Sequence, residues 1–127
     1  AIPEHVRLTG QMLHFKAYFQ ESVVESPSEA FRTRVIIIRY FLEDDTVEAF
    51  EERRPNDGMT GVKFLRRMQH PAVSIESLRI GETLTLYGKA LRVFACDAFT
   101  RAYYDERGTP QPEDVGAPED AFGATVR

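Results

Sequence analysis

Between Val93 and Tyr104 the hydrophobic period of the chain changes, and this change constrains how the fold can close. Val93-Phe94-Ala95-Cys96 reads as the end of an apolar strand, and Asp97 follows directly. Aspartate is a favoured helix N-cap, because its carboxylate accepts from N–H groups that the first helical turn leaves unpaired. Phe99, Ala102 and Tyr103 then recur at helical i, i+3, i+4 spacing and form one apolar stripe. Gly108 supplies a left-handed stop, so the spacing predicts a helix over about 98–107. A strand that runs into a capped helix needs a sheet for that helix to cover. On this reading Cys96 packs, Asp97 caps, and Phe99 and Tyr103 lie on the sheet.

The preceding residues supply the sheet. Leu13, Phe15, Ala17 and Phe19 alternate with His14, Lys16, Tyr18 and Gln20, which is the period of a strand with one buried face. Glu25-Ser26-Pro27-Ser28-Glu29 reads as a loop. Phe31 to Leu42 is the strongest strand signal, broken at Asp44-Asp45 and resumed over Thr46 to Phe50. A two-residue turn at Asp44-Asp45 would pair Leu42 with Val47 and Tyr40 with Ala49. One face then collects Ile36, Ile38, Tyr40, Leu42, Val47 and Ala49 as core. The other face mixes Ile37 and Phe41 with Arg39 and Glu48, which become diagonal neighbours of opposite charge. Asp-Asp is a poor two-residue turn, so a longer connection stays open. Glu51 to Gly61 is a charged loop around Asn56-Asp57-Gly58. Val62 to Met68 is a short edge strand or a single turn, ended by His70-Pro71. Thr83 to Ala95 reads as a hairpin with a type II′ turn at Gly88-Lys89. It pairs Leu86 with Leu91 and Leu84 with Val93 on one face, leaving Thr85 and Arg92 on the other. Proline, glycine and acid then dominate to Arg127, predicting an extended tail on which Phe122 and Val126 could dock.

Composition excludes several classes. A chain of 127 residues fits one domain and buries enough surface to fold without a metal or disulfide. Hydrophobic residues make up 43%, so the chain is globular rather than disordered. A net charge of −4 disfavours general nucleic-acid binding. Lone Cys96 excludes an internal disulfide framework and suits a reducing compartment. No apolar run is long enough to span a membrane, and Ala1-Ile2-Pro3-Glu4-His5 carries no signal-peptide pattern. That start looks like a cut end within a longer protein.

Catalytic and metal-binding patterns are missing in their required spacing. Gly81, Gly88 and Lys89 fall in a hairpin rather than a strand-loop-helix phosphate cradle. Asp44-Asp45 and Asn56-Asp57-Gly58 lack the alternating ligands and terminal glutamate of a calcium loop, and read as turns. His5, His14 and His70 are not spaced as metal ligands, and Cys96 has no second cysteine. No Ser-His-Asp or Gly-x-Ser-x-Gly pattern occurs. Glu51-Glu52 lie beside arginines and read as a solvated strand end. No enzyme activity, cofactor or metal is therefore expected. One chemical feature stands out: Arg53, Arg54, Lys63, Arg66 and Arg67 concentrate positive charge in an acidic chain. Such a stretch is either a solvated edge or a docking patch for an acidic partner.

Taken in order, the motifs resemble those of a known family. They are Leu13 to Phe19, Arg39 to Glu48 with Asp44-Asp45, Asn56-Asp57-Gly58, Leu65 to Gln69, Ile80-Gly81 with Leu84 to Lys89, and Cys96-Asp97 to Tyr104. Together they resemble the DM-ten domain, most closely a first copy. That family occurs, often in triplicate and followed by EF-hands, in ciliary doublet-microtubule proteins. The resemblance implies a mainly β fold: a pleckstrin-homology-like bent β-sandwich or partly open barrel with one C-terminal helix. It marks Asp44, Asp45, Asp57, Gly58, Gly88, Cys96, Asp97, Phe99 and Tyr103 as structural motif positions. It divides the chain into an N-terminal extension (1–11), the domain (12–108) and a linker-like tail (109–127). The implied role is a non-enzymatic module of a microtubule inner protein in the ciliary or flagellar axoneme. Its partners would be tubulin or neighbouring axonemal proteins, not nucleic acid or membrane, and the isolated domain would be monomeric. The alternative is a phosphoinositide- or peptide-binding adaptor on the same fold. Against a lipid reader, the Glu21 to Glu29 connection holds three glutamates and no lysine or arginine. The chain departs from many members at Met59-Thr60-Gly61 and is shorter between His70 and Ser77; both departures lie beside the basic stretch.

Overall fold

The computed structural model describes residues 10–22, 31–52 and 60–118. Six strands form one antiparallel sheet: β1 (Met12–Ser22), β2 (Phe31–Phe41), β3 (Thr46–Glu52), β4 (Thr60–Met68), β5 (Thr83–Leu86) and β6 (Lys89–Cys96). Their order across the sheet is β4-β3-β2-β1-β6-β5, and α1 (Ala98–Glu106) follows. The sheet curls into a half-barrel, so the fold of the described residues is mainly β with one short C-terminal helix. Aromatic contacts draw the outer strands together. Phe64 of β4 lies 6.2 Å from Phe19 of β1 and 5.9 Å from Tyr87 at the β5–β6 turn, measured between ring centroids.

The concave face is the core. Leu13, Phe15 and Ala17 of β1 meet Ile36, Ile38 and Tyr40 of β2, with Val47, Ala49, Leu65, Leu84, Leu86, Leu91 and Val93 around them. All the residues expected on the core face of the β2–β3 hairpin are buried. Its register is nevertheless two residues away from the expected one. Tyr40 pairs with Val47, and Ile38 with Ala49, because the connection is a four-residue turn rather than Asp44-Asp45 alone. The Asp44 carboxylate accepts from the Thr46 N–H (3.1 Å) and the Thr46 hydroxyl (2.6 Å), and Asp45 adopts a φ of 58°. Asx side chains stabilise such loops, and aspartate tolerates the left-handed region. A slip of two residues keeps every side chain on its face, which is why the core assignment survives.

The β5–β6 hairpin shows the same displacement. Leu86 pairs with Lys89 and Leu84 with Leu91, so the turn is Tyr87-Gly88 rather than Gly88-Lys89. Both central residues have positive φ, 51° and 74°. This is the type I′ geometry, whose twist matches the flanking strands. Gly88 is a turn residue as expected, but at the second central position. The Tyr87 ring rests on Phe64, which offsets the left-handed strain of a non-glycine.

The segment that read as either an edge strand or a turn is a strand, β4, at the sheet edge. Glu51 and Glu52, read as part of the charged loop, extend β3, and Thr60-Gly61 already belong to β4. The loop expected over Glu25 to Glu29 and the docking of Phe122 and Val126 lie outside the described residues.

Asp97 caps α1 as expected: its Oδ1 accepts from the Thr100 N–H at 2.9 Å. At the other end Gly108 (φ 80°) closes a Schellman motif, with Gly108 N–H donating to Asp105 O and Thr109 N–H to Tyr104 O. The buried face of the helix is not the expected Phe99-Ala102-Tyr103 stripe. Thr100 and Tyr104 are fully buried, whereas Phe99 is 44% exposed and Tyr103 half-buried. The hydrogen bonds explain the rotation. The His14 N–H donates to Thr100 Oγ1 at 2.8 Å, and Tyr104 donates its hydroxyl proton to Ile75 O at 2.6 Å. Tyr104 also packs edge-on against Phe15. Cys96 is half-buried against the core.

Residues 109–118 have no regular structure, as composition predicts, yet they are fastened to the body. Gln111 is buried. Its Oε1 accepts from the Ile80 N–H at 2.9 Å, and its Nε2 donates to Leu78 O at 2.7 Å. Arg79 donates to Pro110 O, Arg101 to Pro112 O and Asp114, and the Val115 N–H to Phe94 O.

Candidate partner interface

The convex face of β2, β3 and β4 carries the charge that the sequence concentrates in one stretch. Edge strands expose unpaired backbone groups, and bulges and cations blunt them against wrong pairing. β4 has both devices. Between the pairs Val47–Met68 and Ala49–Leu65, one residue of β3, Glu48, faces two of β4, Arg66 and Arg67. This bulge interrupts the alternation, so two consecutive arginines both stay exposed while Leu65 stays in the core.

Each basic side chain has a different setting. The Arg67 guanidinium lies 3.6 Å from the Phe41 ring centroid, donates from Nε to Thr46 Oγ1 at 2.8 Å, and pairs with Asp44 at 3.2 Å. Lys63 approaches Glu48 at 3.4 Å. Arg66 makes no ion pair among the described residues and projects into solvent. Arg39, directly opposite Glu48 rather than diagonal to it, joins the cluster from β2. It lies 4.6 Å from the Phe50 ring centroid and pairs with Glu48 at 3.4 Å. Its Nε is buried and has no hydrogen-bond partner among the described residues. Phe41 and Phe50 point to the convex side yet are buried, because guanidinium groups cover them.

Two carboxylates, Glu48 and Asp44, therefore pair with three cations, Arg39, Lys63 and Arg67, while Arg66 stands exposed next to Arg67 on β4. Hydrogen bonds from Thr46, helped by Arg67, hold the Asp44 carboxyl below its usual range. Of the expected patch, Lys63, Arg66 and Arg67 come together here. Arg53 and Arg54, with Asp57 and Gly58, lie outside the described residues. Arg39 was legible only as the surface partner of Glu48; its place beside β4 depends on a long-range strand pairing.

Among the described residues, two clefts away from this face stand out. One of about 750 Å³ opens between the β2–β3 turn, the 69–76 segment and the end of α1, lined by Tyr40, Asp45, His70, Glu76 and Arg107 among others. There the Tyr40 hydroxyl donates to Asp45 Oδ1 at 2.9 Å, and burial, reinforced by that bond, pushes its pKa well up. The other, about 570 Å³, lies beside the strand-to-helix junction, with Ile37, Phe94 and Ala95 below His14, Lys16, Asp97 and Asp114. Cys96 borders it, and burial raises its thiol pKa, which keeps the sulfur a poor nucleophile at neutral pH. Among the described residues no group of three His, Cys, Asp or Glu side chains is placed to hold a metal ion. No described helix is long and apolar enough to cross a membrane.

The family model of the DM10 domain matches residues 2–100. The chain belongs to the DM10 domain family. It is 35% identical over 113 residues to EF-hand domain-containing protein 1 of Homo sapiens, covering 84% of this chain and 18% of that protein. It is 29% identical over 133 residues to EF-hand domain-containing family member C2 of Bos taurus, covering 98% of the chain and 18% of the relative. The Gallus gallus C2 protein is 27% identical over 128 residues, covering 94% and 17% respectively. The chain thus spans less than a fifth of the length of these curated relatives. Within this DM10 domain the basic face and the junction at Cys96-Asp97 fall inside the matched residues, whereas the fastened 109–118 segment lies beyond them.

Proposed function

We propose that this DM10 domain is a non-enzymatic structural module of a ciliary or flagellar protein, docking on tubulin or neighbouring proteins in the lumen of doublet microtubules. The observation that carries the reading is the cationic convex face around Glu48, on a chain whose net charge is −4. Tubulin is acidic, and complementary potentials supply orientation and on-rate. Exposed charge pairs contribute only about 0–1 kcal/mol each, so stable incorporation draws on many contacts or on linked domains of a longer chain. The resemblance to ciliary proteins supports an axonemal setting. Membership in the family and likeness to EF-hand-domain-containing proteins support a structural role rather than a catalytic one.

The test is incorporation into isolated axonemal doublets. Wild-type chain is compared with a variant in which Arg53, Arg54, Lys63, Arg66 and Arg67 are all replaced by glutamate. The reading expects wild type to sediment with doublets and the variant to stay in the supernatant. Equal incorporation of both removes the patch, and failure of wild type to incorporate removes the proposed partner.

A further inference from the structure

Resting on the docking role proposed above, the arrangement of the convex face goes further. We infer that the face formed by Arg39, Lys63, Arg66 and Arg67 recognises an acidic polypeptide segment, with Arg66 as the principal contact and Arg67 as a second contact fixed in place beforehand. The site therefore lies on the sheet face and includes β2, rather than following the β3–β4 loop.

The roles differ because the settings differ. Arg67 is held by the Phe41 ring, Thr46 and Asp44, so its guanidinium plane is fixed before any partner arrives. Arginine has five donors, and these bonds use only some of them. Arg39 is likewise fixed over Phe50, donating to Glu48 from one nitrogen. Arg66 is exposed, and the bulge aims it to the same side as Arg67. Two preset guanidinium planes beside a free one suit a run of carboxylates, since a planar fork binds a carboxylate bidentately and little rotamer freedom remains to be lost. Glu48 and Asp44 offset two of the four cations, leaving an excess of two positive charges for the partner. The apolar rings lie beneath the guanidiniums rather than open to solvent, so the face favours a charged partner over an apolar one.

The probe is a fluorescein-labelled glutamate-rich peptide titrated with the whole chain, read by anisotropy at low and physiological salt. Wild type should bind, and Arg66→Glu should weaken binding by at least about tenfold, the cost of replacing a favourable charge contact with a like-charge one. Arg92→Glu, exposed on β6 and separated from this cluster by β1, should leave binding unchanged. Arg67→Lys should weaken binding less than Arg66→Glu while lowering the thermal midpoint, because lysine keeps the charge and loses the planar stack. Equal losses for Arg66→Glu and Arg92→Glu would reduce the effect to net charge and overturn the inference. So would unchanged binding in Arg66→Glu, or tighter binding to phosphoinositide vesicles than to the peptide. Peptide binding without doublet incorporation would overturn the proposed function alone. Doublet incorporation that survives Arg66→Glu would overturn this inference alone.

Discussion

Arg67 lies over the ring of Phe41, its guanidinium carbon 3.6 Å from the ring centroid, and so joins the edge strand β4 to the central strand β2 across β3. The same side chain reaches Thr46 and Asp44 at the β2–β3 turn. A surface arginine thus covers an otherwise exposed aromatic ring and braces a turn. Arg67→Ala should lower stability by about 1 kcal/mol, the scale of one partly exposed cation–π contact, even though no core residue is touched. Urea denaturation of both chains checks this.

Asp97→Ala removes the cap of α1 and should lower stability by about 0.5–2 kcal/mol, leaving peptide and doublet binding at wild-type level. Denaturation midpoints and binding are measured on the same samples. A stable variant would deny the cap its role.

Gln111 satisfies one buried backbone N–H and one buried carbonyl from the segment before β5. Gln111→Ala leaves both unpaired and should cost about 1–3 kcal/mol. Truncation after Gly108 should destabilise at least as much, since it also removes the partners of Arg79 and Arg101. Thermal melts of the two variants report the difference.

Gly88 has a φ of 74°, and a Cβ built there meets nothing within 4 Å. Gly88→Ala should therefore cost only the left-handed backbone term, about 1–2 kcal/mol, and Gly88→Asn less. Equal stability of all three chains would contradict the type I′ turn.

The pH profile follows from Asp44 on the acid side and from Tyr40 and Tyr104, both shifted up by burial, on the alkaline side. The folded pKa of Asp44 is depressed, so its contribution is present above the ordinary carboxylate pKa of about 4 and fades as pH falls through the lower folded value. Asp44→Asn should flatten that acid limb. The Tyr40 hydroxyl is shifted the other way by burial. Stability should therefore fall above about pH 10, where the unfolded tyrosine ionises and the folded one resists. Tyr40→Phe should make the alkaline limb shallower, leaving the part that Tyr104 contributes. Stability measured from acid to alkaline pH tests both signs.

Much of this fold is legible residue by residue because strands have a period of two. Both hairpins pair two residues away from the register that turn chemistry predicts, yet Tyr40, Val47, Leu84 and Leu91 all reach the core. Parity survives an even slip. The helix is less forgiving. Phe99 is the more apolar residue, but Thr100 is buried because its hydroxyl answers the His14 N–H, a bond invisible until β1 and α1 are neighbours. Gln111 is hidden for the same reason: a glutamine in a proline-rich stretch carries no local sign that two distant backbone groups await it. At the candidate interface, the cations of β4 are visible as a charge run. The bulge that turns Arg66 and Arg67 to one side, and the entry of Arg39 from β2, come from pairing alone.

The most direct measurement is co-sedimentation of the chain with axonemal doublets at physiological salt, comparing wild type, Arg66→Glu and Arg92→Glu. The expected result is saturable binding of wild type and Arg92→Glu, with Arg66→Glu at least about tenfold weaker and equally stable in a thermal melt. Indistinguishable binding of Arg66→Glu and wild type would contradict the role assigned to the convex face.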